Sequence, residues 1–213
     1  MIMQDGKNKI KNLLPRGLVV RNLKPEARNS VLLTFDDGPD ANVTPAVLER
    51  LRRGRAKAVF FVVGKRIGDA PEVLAMIHKE GHLIGNHSFI HSNGSQPWFV
   101  AYYQDILRCQ RLIAKTAGVR PQLFRPPLGR LSPTTLIAPR LAGLRTVNWS
   151  LDSHDWQCRT IEQAQQAAHD VCAKIREGDI LLMHDDHPFM LDILDVLLSR
   201  CAGFDLNRGI DFI

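Results

Sequence analysis

Asp36 and Asp37 stand side by side at the end of an apolar run, in the stretch TFDDGP from Thr34 to Pro39. Adjacent carboxylates repel each other and are poor strand formers, so something is expected to hold them there. The stretch HSFIH sets His87 and His91 four residues apart. That spacing brings both imidazoles to one face of a helical turn or a tight loop, within reach of one ion. With one carboxylate from the first stretch, the pair would make a two-His, one-carboxylate site that leaves coordination positions open. A metal in such a site acidifies a water and polarises a carbonyl. Neighbouring residues at a strand end point in different directions, so one Asp can be the ligand and the other a general base. Amide hydrolysis also needs an acid for the departing amine. His184, ending LLMH, is the candidate, with Asp155 to orient its ring and support its protonated form. Arg125 is the candidate partner that keeps the base Asp ionised.

The elements that must position these groups follow from the hydropathy pattern. Apolar runs rich in strand formers predict strands near 31–35, 58–64, 82–87, 122–127, 145–150 and 179–184. Helical spacing predicts helices over 44–53, 71–81, 97–117, 133–142, 160–176 and 188–201. Thr44 is read as an N-cap, Pro45 and Pro71 as first-turn residues, and Gly81 and Gly118 as stops. Strands apolar on both faces, alternating with helices, imply a parallel sheet covered by helices, an α/β barrel or a doubly wound sheet. DDGPD matches neither a dinucleotide fingerprint nor a phosphate-binding loop. The polar residues that stand out (Asp36, Asp37, His87, Arg125, Asp152, Asp155 and His184) all fall at C-terminal ends of predicted strands. In parallel α/β folds that edge is where active sites are built.

The 213 residues are 45% hydrophobic, enough for one domain with a real core and far from a disordered composition. No run approaches the ~18 consecutive apolar residues of a membrane span. The four cysteines show no CxxC spacing, which predicts reduced packing residues and no cysteine zinc site. The net charge of +6 is concentrated in residues 1–30, which carry seven basic side chains and two acids. Two readings fit this basic arm, assigned to residues 1–29 ahead of a folded domain at 30–213. It is either a solvated arm whose apolar residues pack on the domain, the favoured reading, or an interfacial segment touching anionic membrane. No aromatics interleave with its charges, which disfavours nucleic acid. The segment lacks the apolar stretch and cleavage site of a secretory signal, so the expected location is the cytoplasm, with peripheral contact at the inner membrane face only on the second of these readings. His78, His82 and His169 are read as surface or capping residues. HDDHP (184–188) is read as the loop and N-cap opening the last helix, in preference to a second metal site through Asp185, Asp186 and His187.

Taken together and in order, TFDDGP, HSFIH, RPPLG, DSHDW and LMH resemble the five motifs of the polysaccharide deacetylases, metal-dependent carbohydrate esterases. The resemblance covers residues 30 to 190. It implies a distorted (β/α)7-type barrel, one divalent ion, zinc by family habit, and removal of the N-acetyl group from an amino sugar in a glycan or lipid-linked saccharide. Carried over residue by residue, Asp36 looks like the general base and Asp37, His87 and His91 like the metal ligands. Arg125 looks like the tether of the base, and Asp155 like the partner of His184, the general acid. Trp156 and Leu182 look like walls around the acetyl methyl.

Two positions depart from the family pattern. Leu128 stands where an aromatic is frequent, yet keeps a backbone N–H that could face an oxyanion. Ser92 follows the second His where Pro is frequent, which predicts a changed loop and an intact ligand. Two other functions remain compatible: a metallohydrolase of a non-sugar linear or cyclic amide, and a non-catalytic glycan-binding module. A glycosidase is disfavoured, because adjacent Asp36 and Asp37 cannot readily flank a glycosidic bond. With 7% aromatic residues and few expected in the edge loops, a short or lipid-linked saccharide is favoured over a crystalline polymer.

Overall fold

The computed structural model describes residues 17–92, 94 and 98–213. Seven strands form one sheet in which every pair is parallel. They are β1 (Leu32–Asp36), β2 (Ala58–Val62), β3 (Leu83–Asn86), β4 (Leu123–Phe124), β5 (Arg145–Thr146), β6 (Leu151–Asp152) and β7 (Ile180–His184). The order β5-β4-β3-β2-β1-β7-β6 is that of a sevenfold barrel left open between β5 and β6. Helices α1 (Val43–Arg53), α2 (Gly64–Ile67), α3 (Pro71–Lys79), α4 (Phe99–Ala117), α5 (Pro133–Leu141), α6 (Ile161–Lys174) and α7 (Met190–Arg200) connect the strands. The α/β fold is the (β/α)7-type barrel expected.

The side-chain period of two sorts the central strands into two layers. Leu33 and Phe35 of β1, Phe60 and Val62 of β2 and Met183 of β7 pack outward with Val47, Leu48 and Leu51 of α1 and Leu194 and Leu197 of α7. Leu32, Val59, Phe61 and Ile180 pack inward with Leu123 and Val147. Phe60 and Phe61 are both fully buried, which explains why AVFFV is apolar without alternation. Each such side chain contributes about 1.5–3 kcal/mol by leaving water. On β1 the inward set is Leu32, Thr34 and Asp36. The period that buries Leu32 therefore aims Asp36 into the mouth of the barrel.

Four expectations change in the structure. The predicted strand 145–150 is only two residues long, Arg145 and Thr146 pairing with β4, and a separate strand just beyond it, Leu151 and Asp152, pairs with β7. Thr44 is not the N-cap of α1. The N-cap is Asn42, and Asp40 Oδ1 in the turn before it accepts the N–H groups of Asn42 and Val43 at 2.8 Å. His82 is no surface residue. It is 3% exposed and its Nδ1 accepts the Ala58 N–H at 3.2 Å, and burial pushes its pKa down to about 4. In HDDHP, neither Asp185 nor Asp186 caps α7, whose N-cap is Phe189.

Most of the predicted basic arm, residues 1–16, lies outside the described residues. From residue 17 the chain lies against the barrel, with Val19, Leu23 and Ala27 buried. The Val20 N–H donates to the Thr146 carbonyl at 2.9 Å and the Leu23 N–H to Gly178 at 2.8 Å. This segment thus runs from the β5 side of the opening to the foot of β7. All four cysteines are free thiols. Among the described residues no helix is long and apolar enough to cross a membrane.

Candidate active site

Asp36 ends β1 and Asp37 begins the turn that follows, with φ at +75°. This conformation turns Asp37 away from the strand direction and toward the loop after β3. That loop carries His87, buried at the end of its strand, and His91, which has φ at +56°. The loop is a tight turn and not a helix. The Ser88 N–H donates to Asn86 Oδ1 at 2.8 Å and the Phe89 N–H to Asp105 Oδ2 at 2.9 Å. Ser92, where the motif pattern allowed proline, uses the N–H that proline lacks, donating to Ser88 Oγ at 2.9 Å.

The three side chains converge. Asp37 Oδ1 lies 3.0 Å from His91 Nε2 and 3.5 Å from His87 Nε2. Their potential ligand atoms all fall within 4.8 Å of one another. His87 Nδ1 lies 2.7 Å from the Arg125 carbonyl oxygen, so it carries the proton and leaves the Nε2 lone pair facing the cluster. Burial pushes the His87 pKa down and keeps the ring neutral. Burial opposes the charge on Asp37, yet His91 and His87 outweigh it and hold its carboxyl well below the usual range. The Asp37 carboxylate beside it raises the pKa of His91. Asp37 Oδ1 is buried without a hydrogen bond of proper geometry. A buried oxygen left unsatisfied between two imidazole nitrogens costs free energy, and a divalent cation satisfies all three at once. The residues present therefore fit a metal ion.

Asp36 is 3% exposed and bound to a fully buried arginine. Arg125 Nη1 donates to Asp36 Oδ1 at 2.7 Å and to Thr34 Oγ1 at 2.8 Å. Its Nε and Nη2 donate to the carbonyls of Val147 and Asn148 at 3.3 and 3.1 Å. Its guanidinium carbon lies 4.1 Å from the centre of the Phe61 ring. Burial lowers the Arg125 pKa, but these acceptors stabilise the cation where water cannot reach. Asp36 Oδ2 lies 3.7 Å from His87 Nε2, so the free oxygen of the carboxylate borders the metal cluster.

His184 ends β7 and is the register partner of Asp36 on β1. Its Nδ1 lies 2.9 Å from Asp155 Oδ1, and its N–H donates to Asp155 Oδ2 at 2.8 Å. Ser153 Oγ also donates to Asp155 Oδ1, at 2.8 Å. Burial alone would lower the His184 pKa, yet Asp155 reverses this and pushes it up to about 9. The ring is then an imidazolium at neutral pH, a proton donor beside a carboxylate base.

The structure brings together Asp36, Asp37, His87, His91, Arg125, Asp155 and His184 at the C-terminal edge of the sheet. The remaining residues of the sequence reading sit at its margins. Leu182 is buried on the inward face of β7. Trp156 is half exposed, in the turn Asp155–Gln157. Leu128 is 69% exposed with φ at +58°, in the turn Pro127–Gly129, so its side chain meets solvent. Aromatics are also less scarce here than expected: Trp98, 73% exposed, opens α4 on the same edge as Trp156. Aromatic content therefore no longer disfavours a polymeric glycan. Asn148 and Thr34 carry no sequence expectation, and Asp185 enters the sequence reading only as part of the loop opening the last helix. Asn148 contributes through its backbone carbonyl, which no side-chain pattern reveals.

The model of the family described as polysaccharide deacetylase matches residues 24–147. A peptidoglycan-N-acetylglucosamine deacetylase of Listeria monocytogenes is 33% identical over 95% of this chain, which spans only 42% of that protein's length. One from Bacillus cereus is 36% identical over 82% of this chain and 81% of its own length. The solved peptidoglycan deacetylase PdaC of Bacillus subtilis superposes with a TM-score of 0.74 at 29% identity, covering 81% of this chain and 83% of that one.

Proposed function

The chain belongs to the polysaccharide deacetylase family, and from that premise we propose that it removes the N-acetyl group from an N-acetylated amino sugar in a glycan, releasing acetate. The observation that carries this reading is the adjacency of three groups at one edge. They are the Asp37, His87 and His91 cluster, the arginine-held carboxylate of Asp36 and the Asp155-held imidazole of His184.

Asp37, His87 and His91 would hold one divalent ion. We take it as zinc, because two imidazoles and a carboxylate are the donor set of open zinc sites. When bound, such an ion acidifies a water and polarises the amide carbonyl. Asp36 accepts the proton of the attacking water through the oxygen that Arg125 leaves free. Arg125 fixes the position of that carboxylate during the transfer. His184 gives its proton to the nitrogen of the departing sugar amine, and Asp155 stabilises the ring throughout. Leu128 offers a backbone N–H to the developing oxyanion, while Leu182 and Trp156 border the acetyl methyl. A glycan-binding module has no use for an acid and a base held this way, so the hydrolase reading is preferred.

The names of the relatives point to N-acetylglucosamine in peptidoglycan as the first substrate to try, and Trp98 and Trp156 offer two faces on which sugar rings can stack. The test is acetate release by the zinc-loaded chain from peptidoglycan fragments, chitin oligomers and a simple non-sugar acetamide. Release from either glycan, with a free amine formed for each acetate, supports the reading. Release from the acetamide alone would contradict it.

A further inference from the structure

The turn that carries Asp36 and Asp37 is held from behind by groups outside the catalytic set. Asp185 follows His184 and is 1% exposed. Its Oδ1 accepts the Gly38 N–H at 3.0 Å, and its Oδ2 accepts the Thr44 hydroxyl at 2.5 Å. The Thr44 oxygen in turn accepts the Asp40 N–H at 2.8 Å. One carboxylate–hydroxyl pair thus binds the two N–H groups on either side of Pro39. The Asp185 N–H reaches the Asp36 carbonyl at 3.3 Å, so strand end and turn are tied to the same residue. Gly38 completes the fit: a Cβ there would overlap both carboxylate oxygens of Asp185.

Helix initiation does not account for this arrangement, since Asp40 Oδ1 already accepts the N–H groups of Asn42 and Val43 where α1 begins. A fully buried carboxylate is expensive unless its acceptors are used. Here they fix the backbone immediately after Asp37, a non-glycine residue at φ +75°, where side chains other than glycine need external support.

We infer that Asp185 and Thr44 are positioning residues that hold the Asp37–Asp40 turn in the conformation presenting Asp37 to His87 and His91 while Asp36 stays on Arg125. The inference rests on the reading of Asp37 as ligand and Asp36 as base. Neither Asp185 nor Thr44 belongs to the Asp37, His87 and His91 cluster, and both hydrogen-bond to the turn instead. They act by lowering the number of orientations open to the Asp37 carboxylate, as outer partners do in metal sites.

The test uses the full chain with Thr44→Val, which removes the hydroxyl at nearly constant shape, Thr44→Ser, which restores it, and Asp185→Asn. Zinc affinity of each protein is measured by competition with a chromogenic chelator, and kcat and KM by acetate release. Thr44→Val and Asp185→Asn are expected to bind zinc about 10- to 100-fold more weakly. They also lose kcat by a similar factor, with KM within about twofold of the parent. Thr44→Ser recovers both. A purely structural role would lower the melting temperature and leave zinc affinity of the folded protein unchanged. Parental zinc affinity in both Thr44→Val and Asp185→Asn overturns the inference. A parent chain that binds zinc but releases no acetate overturns the deacetylase reading alone, and the zinc titrations then decide the positioning claim. A parent chain without zinc affinity overturns both.

Discussion

Asp155 grips His184 at two points, the ring Nδ1 at 2.9 Å and the backbone N–H at 2.8 Å. The carboxylate fixes the position of the strand end and the protonation of the side chain together. With the His184 pKa pushed up to about 9, kcat is expected to persist through mildly alkaline pH and to fall above pH ~9 as the acid deprotonates. Asp155→Asn removes the largest opposing charge and leaves only the more distant Asp36 and Asp37 against burial, so the alkaline limb moves to lower pH. A kcat–pH profile of both proteins checks this. The sign for stability follows from a folded pKa above the unfolded 6.5. The Asp155–His184 pair contributes fully below pH 6.5, and its contribution is lost as pH rises through about 9. The stability gap between parent and Asp155→Asn should narrow over that window in denaturant titrations.

The Asp37, His87 and His91 cluster has a different signature. Strong chelation should abolish activity and leave the chain folded, because the two-layer core does not depend on the ion. Zinc at about 100 times its Kd stabilises by about 2.7 kcal/mol, which raises Tm by roughly 5 to 11 °C at this chain length. Asp37→Ala should lose both the metal and the Tm increment. Calorimetry with and without zinc reads both.

Among the described residues Arg125 is the largest fully buried side chain, and it donates to four different oxygens. Arg125→Met leaves Asp36 buried without its cation and should cost about 3–5 kcal/mol of stability. Arg125→Lys should recover only a part, since an ammonium cannot spread its donors across Thr34, Asp36, Val147 and Asn148. Urea unfolding at pH 7 measures both.

Gly38 has room for no side chain, whereas a Cβ added at Gly68 would meet nothing nearer than the Lys65 carbonyl oxygen at 3.4 Å. Gly38→Ala is therefore expected to displace Asp185, lowering stability and kcat together. Gly68→Ala should be close to neutral in both. A parental kcat in Gly38→Ala would show that the turn tolerates a shifted Asp185.

Much of this was legible in the sequence because it is local. Runs such as AVFFV announce strands buried on both faces, and Gly118 stops α4 in the left-handed conformation at φ +71°. The five motifs place their ionisable residues at strand ends, and the structure gathers those residues. What escaped is nonlocal. The two-residue strands β5 and β6 exist only through pairing with β4 and β7, so RTVNWS reads as one continuous strand. Thr44 before Pro45 has the form of a helix cap, but its hydroxyl is taken by Asp185, 141 positions away. His82 looks like a surface residue until β2 supplies the Ala58 N–H. Asp185 lies next to a second acid in what reads as a loop, and only the fold shows its carboxylate turned back into the Gly38 turn.

The central claim is that Asp37 belongs to the metal and Asp36 to the water. Acetate release by Asp36→Asn, with bound zinc determined in the same sample, tests it most directly. The expected result is full zinc occupancy and a kcat lower by at least about 100-fold, the usual contribution of a positioned general base. Parental turnover at full zinc occupancy, or loss of the zinc along with the activity, would contradict it.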